Sequence, residues 1–458
     1  MSRRPDGSGA LEIAERALAQ VSGDEAEVYV GTEHSGFARY AGSEVHQPTL
    51  IDDASVQLRL IRGRRAGVAT TNRTDDEGLA ELARRAAEIV ANASDDPELV
   101  PPAPPAEFPE VEGYDEATAS LDAESQARLA ADAIGAAGKL ELYGYFTSAV
   151  CEAAIASTTG LRASQRTTDA TCLALAAEDG ASGYAIRTSW RVGELDPAGV
   201  AREAAEKAER TRGATELEPG RYRAVLEPYA LSELLYYFSF DSLNGLALLE
   251  ERSFFAGRVG EQAFDPKLTL VDDALAESSL PRPFDFEGTP KQRVPLIEEG
   301  VIRGPVWDRA TAARAGRDST GHGLPAGTRS FGAIPTNMAL APGEAESTDE
   351  LAELVGDGIY ITRLHYLSVV NPRDAVVTGM TRDGTFRVRD GKVAEPLVNL
   401  RFTVALPDVL AYVPGLTRET RLVNQSDFYD ERWPFGYRVP AIATASFNVT
   451  GVGGGPGL

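Results

Sequence analysis

Apolar residues along this chain alternate between a helical rhythm and a strand rhythm, and the alternation divides it into units. Leu11, Ala14, Leu18 and Val21 share one helical face and predict an amphipathic opening helix. Glu27 to Gly31 alternates as a half-buried strand does, and further strand-like runs follow. The last two, Ser55–Ile61 and Ala66–Thr71, are joined by Gly63-Arg-Arg, which reads as a hairpin turn. Residues 75–94 return to helical spacing, with Leu79, Leu82, Ala86, Ile89 and Val90 on one side.

Prolines crowd residues 96–109, a density that removes backbone donors and holds a chain extended, so residues 95–113 read as a semi-rigid linker. Beyond it the layout recurs. Helical spacing over 121–137 precedes strand-like runs at 140–157, 161–178 and 183–190, and a helix over 197–212 closes the set. From Tyr222 onward short strands and Gly/Pro turns dominate around one clear helix, residues 231–243. The fold class expected is α+β: two N-terminal helix/antiparallel-sheet units (1–94 and 114–218), then a large, mainly antiparallel, barrel-like β domain (219–458) with an inserted helix. The glycine-rich end, 451–458, reads as a frayed tail.

Composition narrows the function. With 45 basic and 69 acidic residues the net charge is −24, which argues against a nucleic-acid partner, since phosphate binding needs a concentrated basic face. The local cluster Arg62, Arg64 and Arg65 falls on the expected hairpin tip. Cys151 and Cys172 are too few for a disulfide framework and lie in apolar stretches, as buried free thiols do. No window reaches the roughly 18 apolar residues of a membrane span, and no apolar segment follows the two N-terminal arginines as a signal peptide requires. A cytoplasmic, soluble protein is expected.

The densest information lies in residues 222–273. Tyr222-Arg-Ala-Val-Leu-Glu-Pro leads into Leu231-Ser-Glu-Leu-Leu-Tyr-Tyr-Phe-Ser-Phe-Asp241, then Gly257-Arg-Val-Gly-Glu261 and Leu268-Thr-Leu-Val-Asp-Asp273. Phe286-Glu-Gly-Thr-Pro, Leu296-Ile-Glu-Glu-Gly, Ser319-Thr-Gly-His-Gly323, Pro335-Thr-Asn-Met338, Gly356-Asp-Gly-Ile-Tyr-Ile-Thr362, Phe386-Arg-Val-Arg-Asp-Gly and Val439-Pro-Ala-Ile continue the series. In this order the blocks resemble the TldD/PmbA family of zinc-peptidase subunits. The family's metal-bearing members carry H-E-x-x-x-H on the helix after the opening strand and a cysteine shortly before the last V-P strand.

Laid on that pattern, Tyr236, Tyr237 and Asp241 stand where the first His, the Glu and the second His would be, and Arg432 stands near the cysteine position. A catalytic zinc needs three ligands from His, Cys and carboxylate, with a base beside its water. The four histidines, His34, His46, His322 and His365, have no helical spacing among them, so that motif can be written nowhere in the chain. Read without the resemblance, Leu231, Leu234, Leu235 and Phe238 form a packing stripe and the tyrosines cover its flanks. His322 between two glycines reads as a loop histidine, and His365 as a strand histidine.

The resemblance implies the metal-free, PmbA/TldE-type subunit, with zinc only in a metal-bearing TldD-type partner and an unfolded peptide as substrate. Tyr236, Tyr237, Asp241 and Arg432 would be vestigial metal-site positions, and His322, Ser319 and Asn337 would line the cleft. The alternatives are an autonomous hydrolase with an unrecognised site, a metal-free peptide-binding homodimer and a structural scaffold.

Overall fold

The computed structural model describes residues 9–426 and 432–453; the last five residues of the glycine-rich end lie outside them. The N-terminal half builds one antiparallel sheet from β1 (Glu25–Ala41), β2 (Glu44–Arg62), β3 (Arg65–Thr71), β4 (Glu141–Ser157), β5 (Arg162–Glu178) and β6 (Ala181–Ser189). Their spatial order is β3-β2-β1-β4-β5-β6. The two N-terminal units therefore join edge to edge: β1 pairs with β4 from Glu27↔Ser157 to Tyr40↔Gly144. The two strands that would stand open at the junction, β1 and β4, thus close each other, and β3 and β6 remain the outer edges.

Helices cover one side of this sheet. Ala10–Leu18 and Asp76–Asn92 bury Leu79, Leu82, Ala86 and Val90 against Val28, Val30, Leu58 and Leu60. Asp75 caps the second helix by accepting from the Gly78 N–H at 2.9 Å. Ala123–Ala136 and Pro197–Arg210 do the same over β4–β6, around Leu142 and Phe146. The proline-rich stretch is a packed strap rather than a free spacer. Ala103 and Phe108 sit against Ile155, Leu161 and Phe284, and the Val100 carbonyl accepts from Arg59 at 2.8 Å.

The C-terminal half holds β7 (Gly220–Leu226), β8 (Leu270–Asp273), β9 (Arg293–Glu298), β10 (Val301–Ile302), β11 (Met338–Leu340), β12 (Gly358–Asn371), β13 (Val376–Arg389), β14 (Lys392–Pro396), β15 (Leu400–Ala405), β16 (Gly415–Asn424) and β17 (Gly436–Val452). Strands β7, β12, β13, β15 and β17 close on themselves, because β7 pairs with β12 on one side and with β17 on the other. A wing of β10-β9-β8-β11 extends from β17. The α+β class and the barrel-like C-terminal domain are as the sequence leads one to expect. The glycine-rich end differs in part, since β17 runs to Val452 before the chain leaves the sheet.

The inserted helix, Pro228–Asp241, starts with proline in its first turn, where the missing N–H is not needed. Leu231, Leu234, Leu235 and Phe238 join Phe402, Ile442, Phe447 and Tyr437 in the main C-terminal core. Each such side chain contributes about 1.5–3 kcal/mol through burial. That stripe fixes the helix's rotation and so decides where Tyr236, Tyr237 and Asp241 point.

Candidate functional site

With its leucine stripe inward, the helix turns Tyr236, Tyr237 and Asp241 to its partly exposed flank. Tyr236 packs edge-on against Phe240 (5.0 Å between centroids) and Tyr237 (5.6 Å), and lies parallel to Phe435 at 6.3 Å. Tyr237 donates its hydroxyl to the Leu367 carbonyl at 2.9 Å. Burial raises its phenol further above neutrality, so it is neither an anionic ligand nor a general base. Burial also pushes the Asp241 carboxyl up, against the opposing charge of Arg252. Among the described residues no three His, Cys, Asp or Glu side chains are grouped to hold a metal ion. Two neutral phenols and one carboxylate do not make the donor set a zinc centre needs, so the residues at these positions do not fit one.

Arg432, expected near the family's cysteine position, is ion-paired inside the fold. Its guanidinium forks onto Asp169 of β5, Nε to Oδ1 at 3.0 Å and Nη2 to Oδ2 at 2.5 Å, and Nη1 reaches Thr147 Oγ1 of β4 at 3.1 Å. Both charged side chains are almost wholly buried, at 2% and 1% exposure. A buried guanidinium needs a carboxylate facing it, and the sheet supplies one 263 residues away in sequence. Phe435, three positions on, packs against the helix through Tyr236.

The expectation that His322 and Asn337 line a cleft is corrected by their burial, both at 1% exposure. His322 Nε2 meets Asp272 Oδ1 at 2.8 Å and Nδ1 meets Thr320 Oγ1 at 2.9 Å. Burial and the nearby Lys291 charge hold the imidazole below its usual range, so at neutral pH it is uncharged, donating to Asp272 and accepting from Thr320. The second Asp272 oxygen accepts from the Asn337 N–H at 2.7 Å, and the Asn337 amide donates to Ser279 Oγ and the Leu280 carbonyl, each at 2.9 Å. Ser319 is half-buried and donates to the Trp307 carbonyl at 3.0 Å. These residues tie β8, β11 and the Ser319–Gly323 turn together. Their hydrogen-bonding capacity is consumed inside the fold.

A second buried polar set joins the halves of the molecule. Arg329 bridges Glu27 of β1 at 2.8 Å and approaches Glu287 at 3.8 Å, while Arg59 also pairs with Glu27 at 3.2 Å. Burial pushes the Glu287 carboxyl up to about 7, Arg329 opposing and Asp285 adding to the rise.

Between the sheet face and the C-terminal half lies a cavity of about 540 Å³, walled by Tyr29, Glu33, Asp53, Gln165, Arg282 and Trp433 among others. No local pattern signals it, because Glu33 and Asp53 become neighbours only once β1 and β2 are paired in their particular register.

A six-stranded helix-backed sheet, a closed β barrel and an inserted helix whose flank carries Tyr236, Tyr237 and Asp241 make up the scaffold. The sequence matches the PmbA/TldA metallopeptidase C-terminal domain over residues 219–451, its domain 1 over 26–90 and its central domain over 111–212. The chain belongs to the PmbA/TldD metallopeptidase family. A metalloprotease of Methanothermobacter thermautotrophicus is 27% identical over 231 residues, 49% of this chain and 48% of that protein. The metalloprotease TldD homolog of Haemophilus influenzae is 35% identical over 118 residues, 24% of this chain and 23% of that protein. The chain thus spans about half the length, or less, of the curated relatives it matches. The fold is that of TldE from Thermococcus kodakarensis, with a TM-score of 0.84 at 20% identity over 96% of this chain and 99% of that one. No helix of the described residues is long and apolar enough to cross a membrane.

Proposed function

We propose that this chain is the metal-free subunit of a two-subunit peptidase. It encloses an unfolded peptide beside a metal-bearing relative, in peptide degradation or leader trimming, and performs no hydrolysis itself. One observation carries the reading: at the positions where the family's metal-bearing members place their ligands, this chain puts packing groups. Tyr236 is stacked among aromatic rings, Tyr237 is bonded to a backbone carbonyl, and Arg432 is locked to Asp169. The family's hydrolytic chemistry needs a zinc-bound water, and none of these side chains can generate one. The role left to the scaffold is confinement, with sheet edges offering backbone groups to an extended peptide.

Digestion of casein by the isolated chain with zinc supplied, and by the chain co-expressed with a metal-bearing family member, tests this. Digestion by the pair alone, with both chains eluting as one complex, supports the reading. Chelator-sensitive digestion by the isolated chain overturns it.

A further inference from the structure

Register determines the floor of the cavity between the two halves. Glu33 lies opposite Asp53 on β2 and opposite Cys151 on β4, and Gly31 lies opposite Ser55 and Ala153. Small residues thus occupy the middle of the floor, while carboxylates sit at one side. Carboxylates directly opposite each other on paired strands repel, and a cation between them relieves that. The Arg432 guanidinium senses Glu33, but its donors are given to Asp169 and Thr147. Arg282 donates to the Pro434 carbonyl at 2.9 Å and sits 5.6 Å from the Trp433 ring.

Aromatic rings from both the sheet and the C-terminal half complete the lining. Tyr29 and Trp433 both pack on Phe286, each with centroids 4.9 Å apart. Two polar atoms of the lining are sealed from solvent and have no hydrogen-bond partner among the described residues: Oε1 of Gln165, which lies beside Ala153 on β5, and the indole Nε1 of Trp433. One is an acceptor and the other a donor. Buried groups left unmade are rare and call for an explanation. A peptide unit, with one N–H and one C=O, offers what both lack.

We infer that this cavity is a binding subsite for a short extended peptide segment carrying a basic side chain. The backbone engages Gln165 and Trp433, the chain lies over Gly31 and Ala153, and the cationic head sits between Glu33 and Asp53. This rests on the reading above only in that the ligand is a peptide; binding belongs to this chain and needs no partner.

The test is fluorescence anisotropy of the full-length isolated chain with a labelled, acetylated octapeptide of alanine and serine bearing one arginine. A matched peptide has norleucine in its place, and free spermidine is a competitor. The arginine peptide should bind about tenfold tighter than the norleucine peptide, as one charge-assisted hydrogen-bonded contact allows. Asp53→Asn should erase that difference. Ala153→Phe, which fills the cavity, should abolish binding of both, and Trp433→Phe should weaken both about fivefold while keeping the ring. Equal binding of the two peptides, binding unchanged by Ala153→Phe, or no binding of either overturns the inference. Tight spermidine binding, lost in Asp53→Asn, by a chain that binds neither peptide does so too, because it makes the cavity a site for a free polyamine. Casein digestion by the pair separates the two claims: a pair that remains active while the isolated chain binds no peptide leaves the subunit reading standing and removes the subsite.

Discussion

Replacing Arg432 by alanine should be among the most damaging single changes in the chain, although it is a charged residue. The substitution removes three hydrogen bonds, two of them to Asp169, and leaves a carboxylate that is 1% exposed without its guanidinium. Breaking a buried pair from one side costs about 3–5 kcal/mol, because the remaining charge keeps its desolvation penalty. Arg432→Lys should recover only part of this, since a single ammonium cannot reproduce the bidentate fork. Arg432→Met combined with Asp169→Leu should return to within about 1–2 kcal/mol of the parent, as replacement of both charges often does. Urea denaturation followed through the fluorescence of Trp190, Trp307 and Trp433 reads all four proteins, and adding Arg432→Met and Asp169→Leu alone completes the double-mutant cycle that isolates the coupling. A loss below about 1 kcal/mol for Arg432→Ala, or a double variant as damaged as the single one, would refute the claim that this pair joins the C-terminal half to the sheet.

Three further outcomes follow from the buried groups. Glu287 has a folded pKa of about 7 against an ordinary 4.5, so the folded state holds a proton that the unfolded chain has released. Stability contributed at this site should therefore fall as pH rises from about 4.5 to 7 and stay level above, by on the order of 3 kcal/mol; Glu287→Gln should flatten that slope in denaturation profiles across this range. His322→Ala should cost about 2–4 kcal/mol in thermal or urea unfolding, from the lost ring volume and the stranded Asp272, yet leave casein digestion by the folded pair unchanged. Tyr237→Phe should cost about 1 kcal/mol through the lost bond to Leu367 and alter neither pair formation nor zinc content of the complex.

Local elements were legible because their cause is local. The stripe Leu79, Leu82, Ala86, Val90 marks the Asp76–Asn92 helix, and alternation marks the hairpin that becomes β2 and β3. The Leu231, Leu234, Leu235, Phe238 stripe placed the inserted helix and left its tyrosines on the flank. What failed to show was long-range. Nothing in the alternation of residues 25–41 says that they pair with residues 141–157, so two repeated units were visible where one continuous sheet forms. The ion pair of Arg432 is invisible in the sequence because Asp169 lies 263 residues away, and a partner for a buried charge is chosen by packing rather than by spacing. His322 looked like a loop histidine, and its backbone is indeed in a glycine-flanked turn. Only the folded chain brings Asp272 beneath it, which turns a residue expected at a cleft into a buried structural one.

The claim beneath the whole account is that this chain lacks a metal centre of its own, and zinc titration of the isolated protein tests it most directly. Calorimetric titration of the metal-stripped chain, followed by dialysis and metal analysis, should show no stoichiometric zinc and no change when Tyr236, Tyr237 and Asp241 are replaced together by alanine. One zinc retained per chain through dialysis, and lost on that replacement, would mean that the helix flank is a working metal site and that the chain is a peptidase in its own right.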